Sequence, residues 1–69
     1  MNVILNAGTS GMPSAVANNV LNQIKAMLEG IGNVPIGQTR VITVSHHQVT
    51  FTITDSIDES YFVEVTQYL

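Results

Sequence analysis

Apolar residues recur along this 69-residue chain with two different periods, and the change of period divides it into a helical and an extended part. Ala17, Leu21, Ile24, Leu28 and Ile31 follow one another at 4-3-4-3 spacing, and Val16, Val20 and Met27 widen the stripe. Asn18, Asn19, Asn22, Lys25 and Glu29 fall mainly on the other side. A helix turns once every 3.6 residues, so this spacing predicts an amphipathic helix with one broad buried face. Lys25 and Glu29, four apart, can pair weakly on its surface. Pro13 suits the first helical turn, where a missing N–H is no loss. Ser10, Met12 or Ser14 is the expected N-cap. Gly30 or Gly32 ends the helix, with a left-handed glycine at C′.

Beyond Gly37 the period falls to two. A strand is expected over 40–45. In Gln48-Val49-Thr50-Phe51-Thr52-Ile53-Thr54, Val49, Phe51 and Ile53 point one way and the polar residues the other. Alternation rich in β-branched residues is the signature of a strand with one covered face. Placing His46 and His47 at the centre of the hairpin turn sets Val44 against Val49 and Ile42 against Phe51, with Thr43 against Thr50 on the opposite face. A slip of one residue would destroy that agreement. Val3-Ile4-Leu5, followed by Asn6-Ala7-Gly8, reads as a short first strand, and Gly8-Thr9-Ser10-Gly11 as a turn. Residues 33–38 form a linker, in which Pro35 disfavours helix at Val34 and Gly37 allows a turn. Residues 55–60 read as a polar connection and 61–68 as the last strand. That strand places Tyr61, Val63 and Val65 on one side and Phe62 and Tyr68 on the other.

The order β-α-β-β-β describes a single α+β domain over 1–69. One helix lies on an antiparallel sheet of three main strands, and the N-terminal strand is added at an edge. The expected core is Leu21, Ile24, Leu28, Ile42, Val44, Val49, Phe51 and Ile53. The face away from the helix should show a row of threonines: Thr43, Thr50 and Thr52.

Size and charge narrow the functional classes. A domain this short buries only about 60% of the surface its unfolded chain exposes, so its core is marginal. There are no cysteines, which removes disulfides and thiolate metal sites. Self-association is the remaining common means of support. Charged residues are 10% of the chain, against about 25% in an average soluble domain. Surfaces built from amides and hydroxyls are cheaper to desolvate than ionic ones, so they are more readily covered by another chain. A final strand that is apolar on both faces points the same way: such a strand is either central or lies where a second layer covers it, and a chain with one helix supplies little of that layer itself.

Two basic residues against five acids give a net charge of −3. Nucleic-acid binding, which needs several Lys or Arg on phosphates, is disfavoured. No apolar run approaches a membrane-spanning length, and the first residues do not read as a signal peptide, so cytoplasmic synthesis is the expectation. Four of the acids, Asp55, Asp58, Glu59 and Glu64, lie in the last sixteen residues with no base among them.

The groups that could carry chemistry are few. His46 and His47 are adjacent, so on a strand they face opposite ways, and no third soft ligand joins them. An imidazole at a contact would titrate near neutrality, but two polar residues at an exposed hairpin tip is the plainer reading. Asp55, Asp58 and Glu59 do not match the twelve-residue calcium loop. No serine sits in a nucleophile elbow, and residues 8–11 lack the spacing of a phosphate loop. No catalytic residue, metal or cofactor is expected.

A strand, Gly8-Thr9-Ser10, an amphipathic helix and then a strand with His47-Gln48-Val49-Thr50 resembles the dodecins, small flavin-binding proteins that assemble as closed shells. The resemblance covers two short segments. It implies an oligomer that binds a small aromatic ligand, with Gln48 at the matching contact position. The chain lacks the tryptophan on which dodecins stack flavin, and the strand over 61–69 exceeds their three-strand pattern.

The leading expectation is therefore a non-enzymatic assembly or interaction protein, self-associating or docking on a larger complex, of the kind found as small structural components of viruses and phages, in host cytoplasm or virion. Its contact residues would be Thr43, Thr50, Thr52, Asp55, Asp58, Glu59, Tyr61, Phe62 and Tyr68. The alternatives are a small inhibitor that meets a basic protein surface through its acidic C-terminal end, and a dodecin-like ligand-binding oligomer.

Overall fold

The computed structural model describes residues 2–31, 33 and 36–69. The elements are β1 (Asn2–Asn6), α1 (Ser14–Glu29), β2 (Thr39–Val44), β3 (His47–Ile57) and β4 (Ser60–Tyr68). The strands form one mixed sheet in the order β1-β4-β3-β2. β2, β3 and β4 pair antiparallel in succession, and β1 lies parallel to β4 at an edge. The predicted α+β, β-α-β-β-β fold is present, with α1 on one face of the sheet.

The helix is capped and closed differently than the sequence suggests. Pro13 is itself the N-cap, in extended conformation, so Ser10, Met12 and Ser14 do not cap. Ser10 instead ties the preceding loop: its hydroxyl donates to the Ala7 carbonyl at 2.6 Å and accepts from the Met12 N–H at 3.2 Å. Gly8, at φ 55°, takes the turn after β1 while its N–H bonds the Asn6 side chain at 2.9 Å. Gly30 closes the helix in the right-handed region, not the left-handed one, through a three-residue bond from its N–H to the Met27 carbonyl. Gly32, Val34 and Pro35 lie outside the described residues. Gly37 docks the linker on the sheet, its N–H 2.8 Å from the Ile53 carbonyl.

The helix buries Val20, Ile24 and Leu28 against Val3, Met12, Val44, Val49, Phe51, Ile53, Val63 and Val65. Six of the eight expected core residues are fully buried. Leu21 and Ile42 are half-buried at its margin. The buried line of α1 runs through Val20 rather than Leu21, one position round the helix, and Ile42 stands on an edge strand.

Both hairpin turns depart from expectation. The first centres on Ser45 and His46, both left-handed at φ 49° and 70°. Ile42 therefore pairs with Val49 and Thr43 with Gln48. This register is displaced by two residues from the expected one, which preserves every face. His47 leaves the turn and opens β3. The second turn centres on Asp58 and Glu59, at φ 49° and 66°, because β3 continues to Ile57 where a loose connection over 55–60 was expected. Positive φ at both central positions is the geometry that follows the twist of a hairpin and favours Asn-Gly. A left-handed backbone costs a non-glycine residue about 1–2 kcal/mol. Replacing Ser45 by Asn and His46 by Gly together should therefore raise stability by roughly 1–2 kcal/mol, read as a higher urea midpoint. An unmoved midpoint would contradict this turn geometry.

Candidate functional site: the open face of the sheet

The helix covers one face of the sheet, and the other face is bare among the described residues. Paired residues share a face, so the registers lay the bare surface out in rows. At one end Asn2, Ser60 and Ile57 lie side by side, followed by Ile4, Phe62 and Asp55. Asn6, Glu64, Thr52 and Thr39 cross all four strands in the middle. Gln67, Thr50 and Val41 come next, then Gln48 and Thr43.

Two bulges decide who stands on this face. Between Ile53 and Asp55 the β3 strand carries one extra residue, Thr54, and between Val65 and Gln67 the β4 strand carries Thr66. Each bulged threonine donates its hydroxyl across the ladder, Thr54 to the Phe62 carbonyl at 3.2 Å and Thr66 to the Thr50 carbonyl at 3.3 Å. Each bulge shifts the alternation by one. Asp55 and Ile57 are thereby turned to the bare side. Tyr68 is turned to the helix side, opposite Val49.

Thr43, Thr50, Thr52, Asp55 and Phe62 thus share the bare face. Thr43 is exposed, whereas Thr50, Thr52 and Phe62 are half-buried by their neighbours. Thr52 and Thr39 are linked hydroxyl to hydroxyl at 3.1 Å. Asp58 and Glu59 sit at the turn that ends the β3–β4 hairpin. Tyr61 is half-buried on the helix side, paired with the core residue Val3. Tyr68 does not face outward: its ring stacks on His47 with centroids 4.9 Å apart, and His47 Nδ1 donates to the Leu69 carbonyl oxygen at 3.1 Å. His47 so fastens the end of β4, while His46 stays in the turn. The two-sided apolar character expected of the last strand is reduced to Phe62 alone. β4 is also central, flanked by β1 and β3.

Sequence reasoning missed Ile4, Ile57 and Val41, which are 45%, 53% and 57% exposed. The first two join Phe62 in an apolar corner. Their membership depends on the parallel β1–β4 register and on the Thr54 bulge, neither of which leaves a local signal. Glu64 is the fourth acid of the β3–β4 half. The two bases lie elsewhere, Lys25 on α1 and Arg40 on the helix side of β2, opposite Phe51.

On the helix side, β1, the following loop and the start of α1 leave a cleft of about 370 Å³. Val3, Leu5, Met12, Ala17 and Leu21 line it, with Ser14 and Asn18 among its walls and no titratable group. Among the described residues no polar side chain is buried, and no three of His, Asp and Glu gather to hold a metal. No described helix is long and apolar enough to cross a membrane. Gln48 is exposed at the end of the open face, beside Thr43. No protein-family model, curated protein or solved structure matches the chain.

Proposed function

We propose that this is a non-enzymatic assembly protein that buries the open face of its sheet against further copies of itself or against a larger complex. The observation that carries this reading is the one-sided sheet. A single helix leaves Ile4, Phe62, Ile57, Val41 and the threonine rows facing water, and amides and hydroxyls surround them. Such a surface is cheap to desolvate and apolar enough to gain from it. Catalysis tends to draw on buried groups and perturbed titration. The titratable side chains here sit at or near the surface. A small structural component of a viral or phage particle, made in the cytoplasm, fits the role.

Thr50→Lys and Thr52→Lys place a charge in the middle of the face without touching the core. Sedimentation should show the wild-type chain above its 7.4 kDa monomer mass. Each variant should sediment at a lower mass than the wild type, with an unchanged circular-dichroism spectrum. Unchanged oligomer size in both variants would remove the face as the contact.

A second reading is favoured by the segregation of charge. Asp55, Asp58, Glu59 and Glu64 all belong to the β3–β4 hairpin, the first three at the same end as the apolar corner and Glu64 one row further in. That end suits an inhibitor docking on a basic protein surface. Its signature is a complex weakened by salt, because such pairs are screened over about 10 Å at 0.1 M.

A further inference from the structure

We infer that the free edge of β2 is a second contact surface, and that its occupant is the β2 edge of another copy, paired antiparallel about Val41. The inference deepens the assembly reading but uses the backbone edge rather than the face, so the two fail separately.

The backbone geometry comes first. A two-residue turn at Ser45 and His46 makes Val44 and His47 a hydrogen-bonded pair, and such pairs alternate along an antiparallel ladder. Arg40, Ile42 and Val44 therefore direct their N–H and C=O groups to β3. Thr39, Val41 and Thr43 direct theirs away from the sheet, because β2 is its last strand. Proteins ordinarily blunt such an edge with lysine, proline, a bulge or a covering loop. β2 reads Thr-Arg-Val-Ile-Thr-Val, with a continuous ladder to β3 and no proline or bulge. Both bulges of the sheet lie between β3 and β4.

Charge selects the occupant and the register. Asp55, Asp58, Glu59 and Glu64 lie on β3, β4 and their turn, so two copies joined antiparallel through β2 carry no acid on the joining strands and point their acidic turns in opposite directions. Joining through β1 would instead bring acids together, since the Asn2 N–H bonds the Glu59 carbonyl beside that edge. The one charge of β2 is Arg40. Centring on Arg40 would oppose two guanidinium groups in the close pairing position. Centring on Val41 sets Thr39 against Thr43, Val41 against Val41 and Arg40 against Ile42. All three outward-facing residues of each copy are then engaged, with about six interchain hydrogen bonds. The open faces merge into one surface, and helices α1 of both copies lie on the same side.

Amide exchange reads this directly. In dilute protein the N–H groups of Ile42 and Val44 should exchange slowly and those of Thr39, Val41 and Thr43 fast. At concentrations where sedimentation gives twice 7.4 kDa, all of them should be slow. Val41→Pro removes an outward N–H and no bond to β3, so it should return the edge pair to the monomer with the fold retained. Phe62→Lys, on the open face two strands away, should leave the edge pair intact. Fast exchange at Thr39, Val41 and Thr43 in a sample that sediments as a dimer would overturn the inference while sparing the face reading. A wild-type chain that stays monomeric up to about 1 mM, an affinity floor of roughly 4 kcal/mol, would overturn it too.

Discussion

Phe51→Ala should leave the chain without a cooperative unfolding transition at room temperature. Phe51 is fully buried in the middle of β3, opposite Val65 on the central strand and among the side chains that α1 covers. Truncating a buried phenylalanine costs about 3–5 kcal/mol, through lost transfer energy and the cavity left behind. A domain of this length has only about 3–10 kcal/mol in total. It has no disulfide to hold a damaged core together. Far-UV circular dichroism against urea gives the answer. A sharp transition at the wild-type midpoint would mean that the core is not centred on β3.

Leu28→Ala ranks next, at about 2–5 kcal/mol. Leu28 is 1% exposed and lies in the last full turn of α1, two residues before Gly30 closes the helix. Its loss removes the apolar contact that pins that end of the helix to the sheet, so the midpoint should fall and α1 should fray from Met27 onward. Leu21→Ala provides the internal control. Leu21 is half-buried at the wall of the cleft, and the same truncation there should cost roughly half as much, in line with the smaller area withdrawn from water. Equal losses at the two positions would contradict the observed rotation of the helix.

The helix and the alternating strands are readable because each states its period several times. Val49, Phe51 and Ile53 repeat one face three times over, and a single deviant residue cannot hide them. The turns are not readable. Ser45, His46, Asp58 and Glu59 adopt left-handed backbone that their residue types do not advertise. In the second case the acids read as a loop and conceal three further residues of β3. The bulges are the more consequential omission for the site. Thr54 and Thr66 look like ordinary strand threonines, yet each shifts the count by one. Tyr68 thereby goes to the helix side, while Asp55 and Ile57 come to the bare one. Thr43, Thr50 and Thr52 stand on the face their alternation predicts, because β2 carries no bulge and the extra residue of β3, Thr54, lies beyond Thr50 and Thr52. The apolar corner of Ile4, Phe62 and Ile57 unites residues from opposite ends of the chain, and only the parallel pairing of β1 with β4 brings them together.

That parallel pairing also governs when the molecule can be finished. Asn2 meets Ser60 and Asn6 meets Glu64, so β1 has no seat until β4, much further along the chain, has been made. Contacts this distant along the chain close late and slow folding. While the intervening residues are being made Val3 and Leu5 remain without their partners, and β1 is the segment best placed to be exchanged between neighbouring nascent chains.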